Sequence, residues 1–526
     1  MKSRSLSRRR AMQSIASAAA LPFVPRLVQT ESRRPNLIVI LADDMGFSDL
    51  GVYGSEIATP NLDDLARRGV RFSNFYNCAR CCPTRSSILT GLYPHQAGIG
   101  HMVDQREVPA YQGYLNQRGA TIAEALRPAG YHTLMAGKWH VGEARPHWPI
   151  DRGFESYYGL ISGGTNYFKI DENRIFAQNE ERIRETPDGF YITDAFTDHA
   201  LSQIQSVARD DRPFFLYLAY TSPHWPLHAH PADIEKYKDR YVIGWDELRQ
   251  QRHQRQKEKG VVDPRWPLTP RDDSISPWNE AQHREWEARR MAVYAAQIHC
   301  MDRNIGRLLT FLHEQKLEEN TLILFLADNG GCAENITGND PSIMPGSIDT
   351  FQSYGLAWAQ ASNTPFRRYK HWVHEGGVST PLIACWPGEV KPQESQQDQP
   401  GHVIDILPTC LAAAGASYPE SLEGRPLQPP EGQSLLPTLH DAQHRQERTL
   451  YWEHEGNRAV HKGDWKLVSM HPGGWELYHI PSDRTEQINQ AQSEPGKVKE
   501  LAALYDEWAE RCGVLPWDDV RQMPRK

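Results

Sequence analysis

Four short apolar runs that stop abruptly at charged or polar residues constrain this chain more than any other feature. Residues 37–42 run into Asp43-Asp44, residues 133–136 into Gly137-Lys138-Trp139-His140, residues 214–220 into Thr221-Ser222-Pro223-His224, and residues 322–327 into Asp328-Asn329-Gly330. Unbroken apolar runs of this length fit strands buried on both faces, as in a parallel sheet covered by helices. Helical patterns lie between them. Residues 291–312 place Tyr294, Ile298, Met301, Ile305, Leu308 and Leu312 on one stripe, and a shorter helix over 121–126 is stopped by Pro128. The alternation predicts an α/β domain with a mainly parallel sheet sandwiched by helices. Ligands of such sheets sit beyond the carboxyl ends of the strands, which is where the polar residues gather.

Two stretches interrupt the alternation. Residues 151–187 are mixed and carry a Gly163-Gly164-Thr165-Asn166-Tyr167-Phe168 loop. Residues 231–278 are heavily charged; Asp246 is placed to cap a helix ending at Gly260, with its Arg, Gln and Lys residues expected as a solvated face. Residues 419–446 are rich in Pro, Gly, Gln and His and read as a linker, closing a large domain over 33–418. Beyond it, strand-like pieces at 449–454, 465–470 and 475–480 and a helix over 498–511 predict a small C-terminal α+β domain, residues 447–526.

Residues 1–30 have the three-part pattern of an export signal: a basic stretch to Arg10, a mildly apolar run over 11–24, and small residues such as Ala18-Ala19-Ala20. Ser7-Arg8-Arg9-Arg10 resembles a twin-arginine signal, which implies a periplasmic or secreted protein. No apolar run is long enough to span a bilayer. The net charge is −8, and it becomes about −14 without the six basic residues of that leader. This balance disfavours nucleic-acid binding and requires that any anionic substrate be drawn by local positive charge. The eight cysteines are too few and scattered for a disulfide scaffold, and the Cys78–Cys81 spacing lacks the second pair of a zinc site.

In Cys81-Cys82-Pro83-Thr84-Arg85-Ser86-Ser87-Ile88-Leu89-Thr90-Gly91, Pro83 suits a first helical turn and Gly91 a stop, so Cys81 stands at the positive end of a short helix. A cysteine there is either a structural thiol or an activated one. The Cys-x-Pro-x-Arg pattern with its Leu-Thr-Gly ending resembles the signature of type I sulfatases, a branch of the alkaline phosphatase superfamily. Further segments resemble that family in the same order: Pro35-Asn36-Leu37 to Asp43-Asp44 with Thr59-Pro60-Asn61-Leu62-Asp63, then Gly137 to His140, Ser222-Pro223-His224, Asp328-Asn329-Gly330, and Asn363 to Lys370 with Glu375-Gly376-Gly377. The wording is most similar to bacterial arylsulfatases.

The resemblance implies an alkaline phosphatase-like fold and a chain matured by a formylglycine-generating enzyme, which oxidises Cys81. It implies hydrolysis of aryl or carbohydrate sulfate monoesters through a hydrated formylglycine and a sulfoenzyme intermediate. Asp43, Asp44, Asp328 and Asn329 are all hard oxygen donors, which suit Ca²⁺ or Mg²⁺. Calcium, with position 81 as a further ligand, is what the resemblance implies. It assigns His140 as the base that releases sulfate and Arg85 and Lys138 as holders of the nucleophile. His224 and Lys370 bind the ester oxygen, where either could protonate the leaving group. Asn166, Tyr167, Trp225 and His228 are candidate pocket walls. A phosphonate monoester or phosphodiester hydrolase would share these motifs; a non-catalytic sulfated-glycan binder would not need Cys81.

Overall fold

The computed structural model describes residues 34–393 and 396–525; the export pattern over 1–30 lies outside them. A ten-stranded sheet is built from β1 (Asn36–Asp43), β2 (Val70–Tyr76), β3 (His132–Gly137), β4 (Ser156–Leu160), β5 (Phe176–Gln178), β6 (Glu181–Ile183), β7 (Phe214–Pro223), β8 (Thr321–Ala327), β9 (Ser379–Cys385) and β10 (Gly401–His402). Their order is β10-β2-β9-β8-β1-β7-β3-β4-β5-β6. The centre, β8-β1-β7-β3-β4, is parallel throughout, while β9 and the β5–β6 edge run antiparallel to their neighbours. Every residue of β1, β7, β8 and β9 is buried, as their uninterrupted apolar runs require.

Alternate residues of β1 enter two separate cores. Ile38, Ile40 and Ala42 pack with the helix Arg284–Glu314, including Tyr294, Ile298, Met301, Ile305, Leu308 and Leu312 of the predicted stripe. Leu37, Val39 and Leu41 face Ile88 and Leu89 of the helix Cys81–Thr90, together with Ile122 and Leu126. This two-faced burial makes three layers.

Residues 151–187 break the strand–helix alternation as expected, but by adding strands: β4, β5 and β6 extend the sheet, β5 and β6 being too short to show a periodic pattern. Two expectations are corrected. The charged helix is Gly244–Glu258, and Asp246 lies inside its first turn, where it accepts bonds from Trp278 N (2.9 Å) and Arg271 Nη1 (2.8 Å) and does not cap the helix. Its face is not solvated throughout either. Arg249, Arg252, His253 and Gln256 are buried, and the Arg252 guanidinium bonds Asp49 at 2.7 Å and both oxygens of Glu56 at 2.9 Å. Buried carboxylates on the 48–56 loop attract the arginine inward, which a polar pattern alone does not reveal.

The ribbon β11 (Ser421–Leu422) and β12 (Arg425–Pro426) precedes an antiparallel sheet of β13 (Thr449–His454), β14 (Asn457–Lys462), β15 (Trp465–Ser469) and β16 (Trp475–His479). β14 is a strand beyond those expected. On one face Val460, Leu467 and Leu477 pack under Leu501, Tyr505 and Trp508 of the helix Pro495–Cys512. On the other, Trp452 and Val468 pack on Ala79 and Val373, and Trp452 Nε1 donates to Asn77 O at 2.7 Å. The C-terminal sheet thus backs the segment that leads into Cys81. No helix among the described residues is long and apolar enough to cross a membrane.

Candidate active site

Adjacent parallel strands deliver the polar residues to one place. β1 ends in Asp43, its neighbour β8 runs directly into Asp328 and Asn329, β7 leads to His224, and β3 leads to Lys138 and His140. The helix Cys81–Thr90 points its amino end at the same spot, and Gly91 stops it in the left-handed conformation at φ 67°. Lys370 arrives on a loop held by its own N–H on Gly331 O (3.1 Å) and by His371 N–H on Ala79 O (2.8 Å). All ten residues singled out in the sequence therefore converge. All are buried, with Arg85, Lys138, Asp328 and Asn329 wholly inaccessible.

The polar contacts are dense. Arg85 donates from Nε and Nη2 to Asp328 Oδ2 at 3.0 and 2.8 Å, and from Nη1 to Lys138 O at 2.9 Å. Lys138 Nζ donates to Asp43 Oδ2 at 2.6 Å. Lys370 Nζ sits 2.8 and 2.9 Å from the two oxygens of Asp44, and His224 Nε2 lies 3.5 Å from Asp44 Oδ2. Asn329 Nδ2 donates to Asp44 Oδ1 at 2.7 Å. Asp44 and His140 adopt positive φ, 64° and 57°, a conformation that costs energy for residues with a Cβ and that recurs at functional sites.

Burial sets the electrostatics. It raises Asp43 and pushes Asp328 well above the ordinary carboxylate range, the latter helped by Asp43 alongside and opposed by Arg85. Burial would raise Asp44 too, but Lys370 and His224 outweigh it and hold that carboxyl low. His140 and His224 are pushed down to about 4, chiefly by burial, with the Asp44 carboxylate beside His224 working against the shift. The Cys81 thiol is held well below its ordinary value by a hydrogen bond from Cys82, and then by Lys138 and His140, against desolvation.

Two buried oxygens, Asp43 Oδ1 and Asn329 Oδ1, have no hydrogen-bond partner. They lie in a set of carboxylate and amide oxygens, and donor atoms of Asp43, Asp44 and His224 stand within 4.8 Å of one another. Orphaned oxygens among crowded carboxylates are what a hard divalent cation satisfies, so the residues fit such an ion.

Of the candidate pocket walls, Trp225 stays at the rim, its Nε1 on Glu334 Oε2 at 2.9 Å and its ring 5.5 Å from Phe351. Tyr167 and His228 are instead interior struts. The Tyr167 hydroxyl donates to Thr221 O and His224 O at 2.8 Å, while His228 Nε2 bonds Thr350 O at 2.6 Å. Asn166 is buried and donates to Ile348 O at 2.7 Å. A cleft of about 920 Å³ lined in part by Trp266, Arg448, His461 and Arg484 contains none of the ten site residues.

Two further residues shape the site. Glu334 lies 3.0 Å from Arg80 and 4.0 Å from Lys370, and Lys370 holds it at about 2. Only its position six residues past Asp328 could have hinted at this. Gly163 lies flat on His140: a Cβ there would come within 2.5 Å of the ring, and the doubled glycine was the available signal.

Residues 35–416 match the Sulfatase family, and residues 367–508 match N-sulphoglucosamine sulphohydrolase, C-terminal. The chain belongs to the sulfatase family. An uncharacterized sulfatase of Schizosaccharomyces pombe is 34% identical over 93% of this chain and 96% of its own length. The arylsulfatase of Klebsiella aerogenes is 34% identical over 80% and 96%. Among solved structures, Ps i-CgsB in complex with k-i-k-neocarrahexaose superposes with a TM-score of 0.68 at 26% identity, covering 90% of this chain and 93% of that one. This sulfatase is accordingly a sulfuric ester hydrolase with the fold expected from its apolar runs.

Proposed function

We propose that this sulfatase hydrolyses sulfate monoesters with a nucleophile made from Cys81 and a calcium ion bound beside it. The observation that carries this reading is the meeting, at one buried point, of Cys81, four oxygen-donor residues with two orphaned oxygens, and five basic side chains. Asp43, Asp44, Asp328 and Asn329, with the side chain at position 81, would hold the ion, whose charge would polarise a sulfate oxygen. Formylglycine at position 81 would supply, once hydrated, one hydroxyl to attack sulfur and a second whose proton is lost as sulfate is expelled.

The chain's own residues do the rest. Arg85 and Lys138, anchored on Asp328 and Asp43, keep the attacking group oriented and present positive charge to the sulfate oxygens. His140, neutral and reaching Cys81, accepts the proton whose loss expels sulfate. His224 and Lys370 face the ester oxygen. Arg85, Lys138 and Lys370 offset the charge of Asp328, Asp43 and Asp44, so the bound calcium would supply the net positive charge that draws an anionic sulfate to this acidic chain.

Substrates are aryl or carbohydrate sulfates. N-acetylgalactosamine-6-sulfatase of Canis lupus familiaris, 26% identical over 82% of this chain and 71% of its own, favours a sugar sulfate, while Trp225 and Phe351 at the rim suit a ring of either kind. Maturation by a formylglycine-generating enzyme and export to the periplasm complete the proposal, the latter from residues 1–30. The test compares a sulfate and a phosphonate ester of one phenol, alongside a panel of sulfated sugars scored for free sulfate. Faster phosphonate cleavage would reassign the activity. Peptide mass analysis should find formylglycine at position 81, and Cys81→Ala should lower turnover by about 10⁴-fold or more with the circular dichroism unchanged. Fully active protein with only unmodified Cys81 would overturn the nucleophile.

A further inference from the structure

A second group of metal-binding side chains assembles where the C-terminal sheet meets the rest of the molecule. His454 ends β13, Glu455 begins the turn into β14, and His371 follows Lys370 on its loop. His371 Nδ1 stands 3.1 Å from Glu455 Oε2, and His454 Nε2 stands 3.6 Å from Glu455 Oε1. One donor atom from each of the three lies within 4.8 Å of the others. Ligands of a tetrahedral zinc, at about 2.0–2.1 Å from the ion, are roughly 3.4 Å from one another. The observed spacings bracket that value.

The independent observation is His454 itself. Its ring is wholly buried, yet neither nitrogen has a hydrogen-bond partner. A buried imidazole left unpaired is costly unless something else satisfies it. The other two ligands are partly open, with side chains 28% (His371) and 21% (Glu455) exposed, so an ion and a water could enter from solvent. Behind Glu455, His101 Nε2 meets Oε1 at 2.8 Å and its Nδ1 lies 3.3 Å from Asp104, the outer support typical of metal-bound carboxylates. The nearby Arg80 is paired with Glu334 at 3.0 Å.

We propose that His371, His454 and Glu455 bind a zinc-class divalent ion that fastens the β13–β14 turn to the loop bearing Lys370. Two imidazoles and one carboxylate select a borderline-soft metal, unlike the all-oxygen set at Asp43. The site would leave a fourth position for water and clamp a loop on which the active-site lysine depends.

The test uses the full, untagged chain in calcium-containing buffer, titrated with Zn²⁺ and, separately, with Co²⁺ as a spectroscopic stand-in. Elemental analysis after dialysis should show zinc retained, Co²⁺ should give the strong visible bands of a four-coordinate site, and zinc should raise the melting temperature. His371→Ala and Glu455→Gln, both at partly exposed positions, should each weaken zinc binding by roughly tenfold or more. Their circular dichroism and calcium content should stay unchanged. His454→Ala should do the same, and if it fails to fold the other two variants decide. No retained zinc, or zinc binding indifferent to all three variants, overturns the site. Binding that disappears instead in Cys81→Ala would place the ion at Cys81, Cys82 and His140 and equally refute the proposal.

Discussion

Two buried charge clusters lie on either side of the 44–49 turn, and they are built to opposite ends. Around Arg252, every carboxylate oxygen is satisfied. Asp49 accepts from Arg252, from Gly46 N–H and from the Tyr294 hydroxyl, and Glu56 accepts from Arg252, Tyr241 and Arg255. Around Asp43, three carboxylates meet Arg85, Lys138 and Lys370, yet Asp43 Oδ1 and Asn329 Oδ1 remain without partners. A closed cluster repays its own desolvation, whereas an open one holds unsatisfied groups in reserve for something that binds. The first therefore acts in stability and the second in chemistry.

The sharpest way to break this contrast is Asp43→Asn. It removes one charge from the open cluster while keeping the shape of the side chain. Turnover should fall on the order of 10³-fold or more, because an ion ligand and the anchor of Lys138 are both lost. Bound calcium should fall with it, while stability in denaturant should change by no more than about 1 kcal/mol, since a crowded carboxylate is also removed. Elemental analysis and urea melts of the same sample read both effects. A large loss of stability with calcium retained would mean that the cluster is structural.

Arg252→Ala is the mirror test. It strands Asp49 and Glu56 in the interior, and breaking a buried pair by removing one partner typically costs about 3–5 kcal/mol. The folded fraction should keep turnover within roughly tenfold of the parent, an allowance for the Tyr294 bridge from Asp49 to Asp44 O. A stable variant with turnover gone would reverse the assignment of the two clusters.

The same contrast explains what was legible in the sequence. The open cluster stands at the ends of uninterrupted apolar strands, so Asp43, Asp44, Asp328 and Asn329 were visible as polar breaks, and their meeting follows from parallel pairing. The closed cluster joins Arg252, on a charged helix, to Asp49 and Glu56, about 200 residues earlier, with no motif at either end. A polar helix reads as solvated whenever its partners are equally polar. β14, Asn457–Lys462, was missed because only Ala459 and Val460 are apolar, its other buried residues being Asn457 and His461. Tyr167 and His228 were misplaced because loop aromatics give no periodicity from which to tell a wall from a strut. Glu334 had no signal beyond its place six residues past Asp328; its partners Arg80, Trp225 and Lys370 come from three other segments.

The smallest expected effect separates two duties within the open cluster, and it concerns Lys370. Its ammonium holds both oxygens of Asp44 and reaches Glu334 at 4.0 Å, so it is positioned either as a fixed charge for sulfate or as a proton donor to the departing oxygen. The two duties differ in how they depend on the leaving group. A nitrophenolate departs readily as an anion, whereas a sugar alkoxide needs a proton in the transition state, where general-acid help is worth about 10²–10⁴-fold. If Lys370 protonates that oxygen together with His224, Lys370→Ala should slow a sugar or alkyl sulfate about 10²-fold more than nitrophenyl sulfate. A lysine that only binds the sulfate group common to both esters would give equal losses. Measuring kcat/KM for both esters in both proteins, with His224→Ala as the parallel case, decides between them. Equal losses for Lys370→Ala beside unequal losses for His224→Ala would move the proton to the histidine and leave Lys370 as the charge that holds Asp44 and sulfate in place.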